Sequence, residues 1–205
     1  MRRIFSCLLS VILLSACSLK PVPQPAEQQD SGLQGKNIQV EVSNGVFVDL
    51  PKPVQLQQTL SVSQLISAQW GQKQQHKLLV QLQVDDQQVV LAGFSSWGTR
   101  ILSLNYADNQ IQTYVMAGLV DTLPKPEQVL FNVMLSIWPV EAWTASFQPI
   151  GWRLLENDLQ RVLINDHGQV VVEINYQKKP YLSGLITFKH LLLDYQINIE
   201  TNSES

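Results

Sequence analysis

Between Gln169 and Glu200 apolar side chains recur at every second residue, and that spacing constrains the fold more than any other feature of the chain. Val170, Val172, Ile174 and Tyr176 alternate with Val171, Glu173 and Asn175; Leu182, Gly184, Ile186 and Phe188 alternate with Tyr181, Ser183 and Thr187; Tyr195, Ile197 and Ile199 alternate with Asp194, Gln196, Asn198 and Glu200. A repeat of two lays an apolar row along one face of a strand, whereas a helix would scatter the same residues around its circumference. Turn residues at hairpin spacing separate the apolar runs: Asp166-His167-Gly168, Asp85-Asp86 and Asp108-Asn109. The pattern predicts strands over 77–84, 88–95, 100–106 and 110–116, a break, and then strands over 152–156, 159–165, 169–176, 181–189 and 194–200. Sequence neighbours then pair antiparallel, and the simplest topology is a meander interrupted once.

The interruption, residues 126–147, reads as helical. Pro126 and Glu127 suit a helix start and Pro139 a stop. Stepped at 100° per residue, the apolar side chains of helix 127–138 cover about 240° of arc, leaving a narrow wedge to Gln128, Asn132 and Ser136. A stripe that wide does not suit one-sided packing. Two arrangements satisfy it: a helix buried between the sheet and a second helix at Val140 to Phe147, or a helix that plugs the concave face of a curved sheet beside a lipid-sized cavity.

At the other end of the chain, Arg2 and Arg3 precede an apolar run from Ile4 to Leu14, about half the length a membrane-spanning helix needs. Leu14-Ser15-Ala16-Cys17 follows directly and resembles a bacterial lipobox. The resemblance implies removal of residues 1–16 and a diacylglycerol thioether on Cys17; the alternatives are a plain secretory leader with a chance cysteine and an uncleaved anchor. Two or three acyl chains exceed what stable membrane anchoring requires. Ser18, where many inner-membrane lipoproteins carry Asp, directs the expectation to the periplasmic face of the outer membrane. Residues 17–34, with prolines at 21, 23 and 25 and almost no apolar content, read as a solvated tether, and a single domain is expected over 35–205.

Composition narrows the chemistry. With Cys7 and Cys17 the only cysteines, the body of the chain has neither a disulfide nor a thiolate metal site. The formal net charge of −3, which becomes more negative once Arg2 and Arg3 leave with the leader, disfavours a nucleic-acid partner. His76, His167 and His190 lack metal-ligand spacing, and the sequence holds no nucleophile elbow or phosphate-cradling glycine loop, so neither a metal, a cofactor nor an enzymatic activity is expected. What stands out is aromatic: five tryptophans, at 70, 97, 138, 143 and 152, with Phe94, Phe131 and Phe147. Most suit core packing. Trp97 falls in a loop between strands, where it either folds back on its sheet or faces solvent, a membrane or a cavity mouth. Arg100, Arg153 and Arg161 lie within strand-like runs, each either in a salt bridge, exposed, or set beside an apolar cavity to hold a lipid head.

The order of these elements carries a resemblance: lipobox, Pro-rich tether, hairpins with Gly93-Phe94 and Trp97-Gly98-Thr99-Arg100, a helix ending Ser136-Ile137-Trp138-Pro139, then Arg161 and a final strand block. Over about residues 55–200 the chain resembles a proteobacterial lipoprotein family, often encoded among aryl polyene biosynthesis genes, that is similar to the outer-membrane lipoprotein receptor LolB. The resemblance implies a mainly β (α+β) fold of the LolA/LolB kind: a curved antiparallel sheet or incomplete β-barrel, its concave face covered by helices over a cavity that accepts acyl chains. The long Gln-rich N-terminal segment and the lack of a matched protruding apolar loop depart from LolB itself, so the resemblance does not extend to general lipoprotein insertion. The expected ligand-contacting residues are Phe94, Trp97, Arg100, Phe131, Met134, Ile137, Trp138 and Arg161. The expected function is capture of a hydrophobic or acylated ligand for delivery to, or retention at, the outer membrane; the alternative is an assembly lipoprotein that contacts an envelope protein complex.

Overall fold

The computed structural model describes residues 37–70, 76–119 and 124–202; the leader, Cys17 and the tether lie outside them. A small hairpin comes first, β1 (Gln39–Ser43) and β2 (Val46–Asp49), turned by Asn44 and by Gly45 at φ 74°. Five strands follow, β3 (Leu60–Trp70), β4 (His76–Val84), β5 (Gln88–Phe94), β6 (Arg100–Ala107) and β7 (Gln110–Val115). Next come two helices, α1 (Pro126–Ile137) and the single turn α2 (Thr144–Phe147). Five more strands close the chain: β8 (Arg153–Asn157), β9 (Gln160–Ile164), β10 (Val170–Tyr176), β11 (Leu185–His190) and β12 (Tyr195–Asn202). The fold is mainly antiparallel β with few helices, as the sequence indicates.

Three stretches differ from the sequence expectation. The hairpin β1–β2 and the strand β3 were not expected, and residues 181–183 form a 3-10 turn where a strand from 181 was expected. Tyr181 stacks on Tyr176 with ring centroids 3.9 Å apart and donates its hydroxyl to Glu156, contacts that hold this segment out of the ladder until Leu185.

Topology also departs from a simple interrupted meander. The ten-stranded sheet runs β7-β6-β5-β4-β3-β12-β11-β10-β9-β8, so two five-strand meanders lie side by side and meet through β3 and β12. The interruption therefore links the two outer edges. Among the described residues the sheet is not closed, because β7 and β8 have no partner on their outer sides in it. α1 is about 18 Å long, yet it touches both β7 and β11, which would stand about 29 Å apart in a flat sheet. The sheet accordingly curls around the helix.

Local chemistry sets the hairpins. Asp108 and Asn109 adopt φ of 50° and 57°, the left-handed pair that a two-residue hairpin turn requires. Asp85 Oδ1 accepts the Gln87 and Gln88 amides at 2.8 and 2.9 Å, and Asn165 Oδ1 accepts those of His167 and Gln169 at 3.0 and 2.8 Å. In β10 the register against β9 shifts between Val170 and Val172, which turns both Val171 and Val172 into buried positions.

The width of the apolar stripe on α1 is explained by what surrounds it. Leu130 to Ser136 are all buried, the helix lying between the sheet on one side and the β1 hairpin with the 140–147 segment on the other. Phe131 meets Trp143 edge-on at 5.6 Å, and Trp143 stacks on Phe147 at 5.2 Å. Even the polar wedge faces inward. Tyr195 on β12 donates its hydroxyl to Asn132 Oδ1 at 2.8 Å, Gln128 Nε2 donates to that hydroxyl at 2.9 Å, and Ser136 Oγ donates to the Asn132 carbonyl at 2.7 Å. Burial raises the Tyr195 pKa, so the hydroxyl remains a donor at any ordinary pH.

His190, 1% exposed at the end of β11, accepts the Leu193 amide on Nδ1 at 3.2 Å, which puts its proton on Nε2. Burial pushes its pKa from 6.5 down to about 4, against a smaller opposing pull from the Val42 backbone. Well above pH 6.5 the ring is neutral in both states and contributes no pH dependence. As pH falls from 6.5 through 4 the unfolded chain takes up a proton that the folded protein refuses, so stability drops, by about 2.5 kcal/mol at pH 4.5. Urea midpoints measured from pH 8 to 4.5 should show this loss, and His190→Gln should remove that share of the slope; an unchanged slope contradicts the buried neutral ring.

Candidate functional site

α1 ends because Pro139 cannot continue it and forces Trp138 into an extended conformation, φ −69° and ψ 148°. That leaves the last carbonyls of the helix in need of donors. Two sheet strands supply them. Arg161 on β9 donates through Nη1 to the Leu135 and Trp138 carbonyls at 3.0 and 2.7 Å, and Tyr176 on β10 donates its hydroxyl to the Ser136 carbonyl at 2.7 Å. A cation at this end of a helix also meets the negative end of the macrodipole.

Arg161 is 3% exposed, yet it is not sealed off. Its Nε donates to Glu156 Oε2 at 2.5 Å, and its guanidinium carbon lies 5.1 Å from the Tyr181 ring centroid. Tyr181 in turn donates to Glu156 Oε1 at 2.8 Å, and both burial and this carboxylate raise its pKa. Arg161, Glu156 and Tyr181 form one wall of an open groove of about 680 Å³. Leu56, Ile137, Pro139, Val140, Leu154 and Leu155 give it an apolar wall, and Gln57, Gln58 and Glu141 a polar rim.

A second groove of about 490 Å³ adjoins the first, sharing Val140, Leu154 and Leu155 with it. Its far wall is aromatic, with Trp143, Phe147 and Trp152, and Arg153 stands at its edge. Leu155, 47% exposed on the outermost strand, contributes to both. The first groove is the more polar of the two, with the Arg161, Glu156 and Tyr181 cluster at its wall, and the second is mainly apolar.

Of the residues expected from sequence, Ile137 and Arg161 come together in this groove. Trp138 is buried just beneath, its indole donating to the Lys52 carbonyl at 3.2 Å and its own carbonyl held by Arg161. Phe131 and Met134 are fully buried within the core and line neither groove. Phe94 is half-buried at the end of β5, and Arg100 at the start of β6 sets its guanidinium 5.5 Å over the Tyr114 ring. Trp97 is 91% exposed at the tip of the β5–β6 turn, away from both grooves. Sequence reasoning missed Leu154, Leu155, Glu156, Glu141 and Tyr181 as groove residues. The adjacent leucines of β8 carry no alternation to say which faces out, while the spacing of Glu156 and Arg161 across the Asp158-Leu159 turn is a signal for a cross-strand ion pair.

These features define a class: an α+β protein whose open antiparallel sheet curls around a buried helix and offers a groove where that helix ends. The chain belongs to the DUF3261 family, described as a protein of unknown function, whose model matches residues 61–203. No curated protein matches it in sequence. Among solved structures it is similar to a LolA superfamily protein from Nitrosomonas europaea, at 8% identity and a TM-score of 0.42, over 72% of this chain and 85% of that one.

Proposed function

We propose that this chain is a non-enzymatic lipoprotein, anchored through Cys17 at the periplasmic face of the outer membrane, that holds a hydrophobic or acylated molecule for delivery to, or retention at, that membrane. The observation that carries the binding role is the pair of adjoining grooves that meet over Val140, Leu154 and Leu155, one mainly apolar and the other polar and ionic toward Arg161. Burying about 300 Å² of acyl surface there yields roughly 7 kcal/mol before the costs of association, enough for reversible capture. The anchoring role rests on Arg2, Arg3, the apolar run and Leu14-Ser15-Ala16-Cys17. The test is whether lipid leaves the cell bound to the full chain, and whether Leu155→Glu, a charge on the wall common to both grooves, strips it away.

The assembly reading has its own support. Trp97 at 91% exposure and the half-exposed Leu191, Leu192 and Leu193 occupy turns at one end of the sheet, where a protein partner would cover them. A ligand-free chain would favour that reading.

A further inference from the structure

We propose that the groove selects a zwitterionic amphiphile, a lipid whose phosphodiester carries an ammonium group, over a free fatty acid or an anionic phospholipid; this rests on the ligand-binding reading above. The argument is one of charge count in a partly desolvated site. Among the ionisable side chains lining the groove, Arg161 stands against two carboxylates, Glu156 and Glu141. Glu156 is committed on both oxygens, to Arg161 Nε and to the Tyr181 hydroxyl. Glu141 forms no ion pair among the described residues. The guanidinium of Arg161 spends Nε and Nη1 on the protein, while Nη2 has no protein acceptor among the described residues.

The groove therefore offers a ligand one buried donor group and one uncommitted carboxylate. A fatty-acid carboxylate could accept from Nη2, but it would add a third negative charge beside the one cation that lines the groove, since Lys179, 5.5 Å over the Tyr181 ring, is already paired with Asp158 at 3.4 Å; desolvation penalises that excess. An anionic phosphodiester meets the same excess. A phosphodiester with its own ammonium brings both halves of the complement: its oxygens accept from Arg161 Nη2 and its ammonium meets Glu141. The acyl stem then runs over Val140, Leu154 and Leu155 toward Trp143, Phe147 and Trp152. Arg153, at the edge of that second groove, stands at the opposite end of β8 from Glu156 and so faces the stem rather than the head.

Competition against a fluorescent fatty-acyl probe bound to the full chain tests this, with monoacyl phosphatidylethanolamine, monoacyl phosphatidylglycerol and the free fatty acid of one chain length as competitors, each below its micelle concentration. The ethanolamine lipid is expected to displace the probe at several-fold lower concentration than either anionic competitor. Glu141→Gln, on an exposed turn, is expected to shrink that preference by relieving the negative excess. Equal displacement by all three, or a lead for an anionic competitor, overturns the selectivity, and a preference untouched in Glu141→Gln overturns the role given to Glu141. A chain that binds no probe at all overturns the ligand-binding reading, and this proposal with it.

Discussion

Replacing Arg161 with methionine lowers the free energy of unfolding by about 3–5 kcal/mol, the range for removing one member of a buried polar network. Methionine restores much of the volume, so the loss is polar in origin. The Leu135 and Trp138 carbonyls, bonded at 3.0 and 2.7 Å in the native protein, are left without donors under the sheet, at about 1–3 kcal/mol each. The ion pair contributes less. Glu156 is 31% exposed and can return to water once its partner is gone, so Glu156→Gln alone should cost no more than about 1 kcal/mol. Arg161→Lys should not rescue stability, because a single ammonium cannot reach two carbonyls and a carboxylate as the guanidinium fork does. Urea midpoints of the three variants give the ordering; a Glu156→Gln loss as large as that of Arg161→Met would mean that the salt bridge, not the helix cap, holds this end of α1.

Phe131→Ala should be comparably severe, at about 3–5 kcal/mol. Its ring is fully buried, packed edge-on against Trp143, which is itself stacked on Phe147. Truncation opens a cavity at the junction of α1 and the 140–147 segment, where the sheet on one side and the β1 hairpin on the other limit collapse. The same unfolding measurement decides whether Phe131 is core or ligand wall. A residue that lined an open ligand space would lose about 1 kcal/mol or less, since the space beside it is already unfilled, and such a result would contradict the packing described.

How far the sequence carries can be read at particular residues. The hairpins at Asp108-Asn109 and Asp166-His167-Gly168 are legible because left-handed backbone and side-chain-to-backbone bonds are properties of a few neighbouring residues. The end of α1 is legible for the same reason, in Pro139. The β1–β2 hairpin lies outside the strands expected above although it carries a local signal, Asn44-Gly45 between Val40, Val42 and Val46, Val48, a strong short-range hairpin pattern. β3 was obscured by Gln64, a polar residue at a buried position whose amide is met by Thr201 on β12, a partner 137 residues away. The joining of β3 to β12 is equally non-local, and no periodicity within either strand announces it.

The groove shows the same division. Ile137 follows from its place beside Pro139, and Arg161 from being a cation in a strand. That the two meet depends on β9 passing under the end of α1, which is a consequence of the sheet order. The alternation around Arg161 is also ambiguous, since Leu163 shares its face while Val162 and Ile164 occupy the other. A buried arginine looks, in sequence, like an exposed one.

The most direct test of the ligand-binding account is native mass spectrometry with lipid extraction on the full chain purified from an expressing bacterium, alongside Leu155→Glu. The account predicts a bound amphiphile near one per protein in the parent chain, lost or much reduced in the variant while its unfolding midpoint stays close to that of the parent. A parent chain free of bound lipid, or a lipid retained unchanged when Leu155 becomes glutamate, would contradict it.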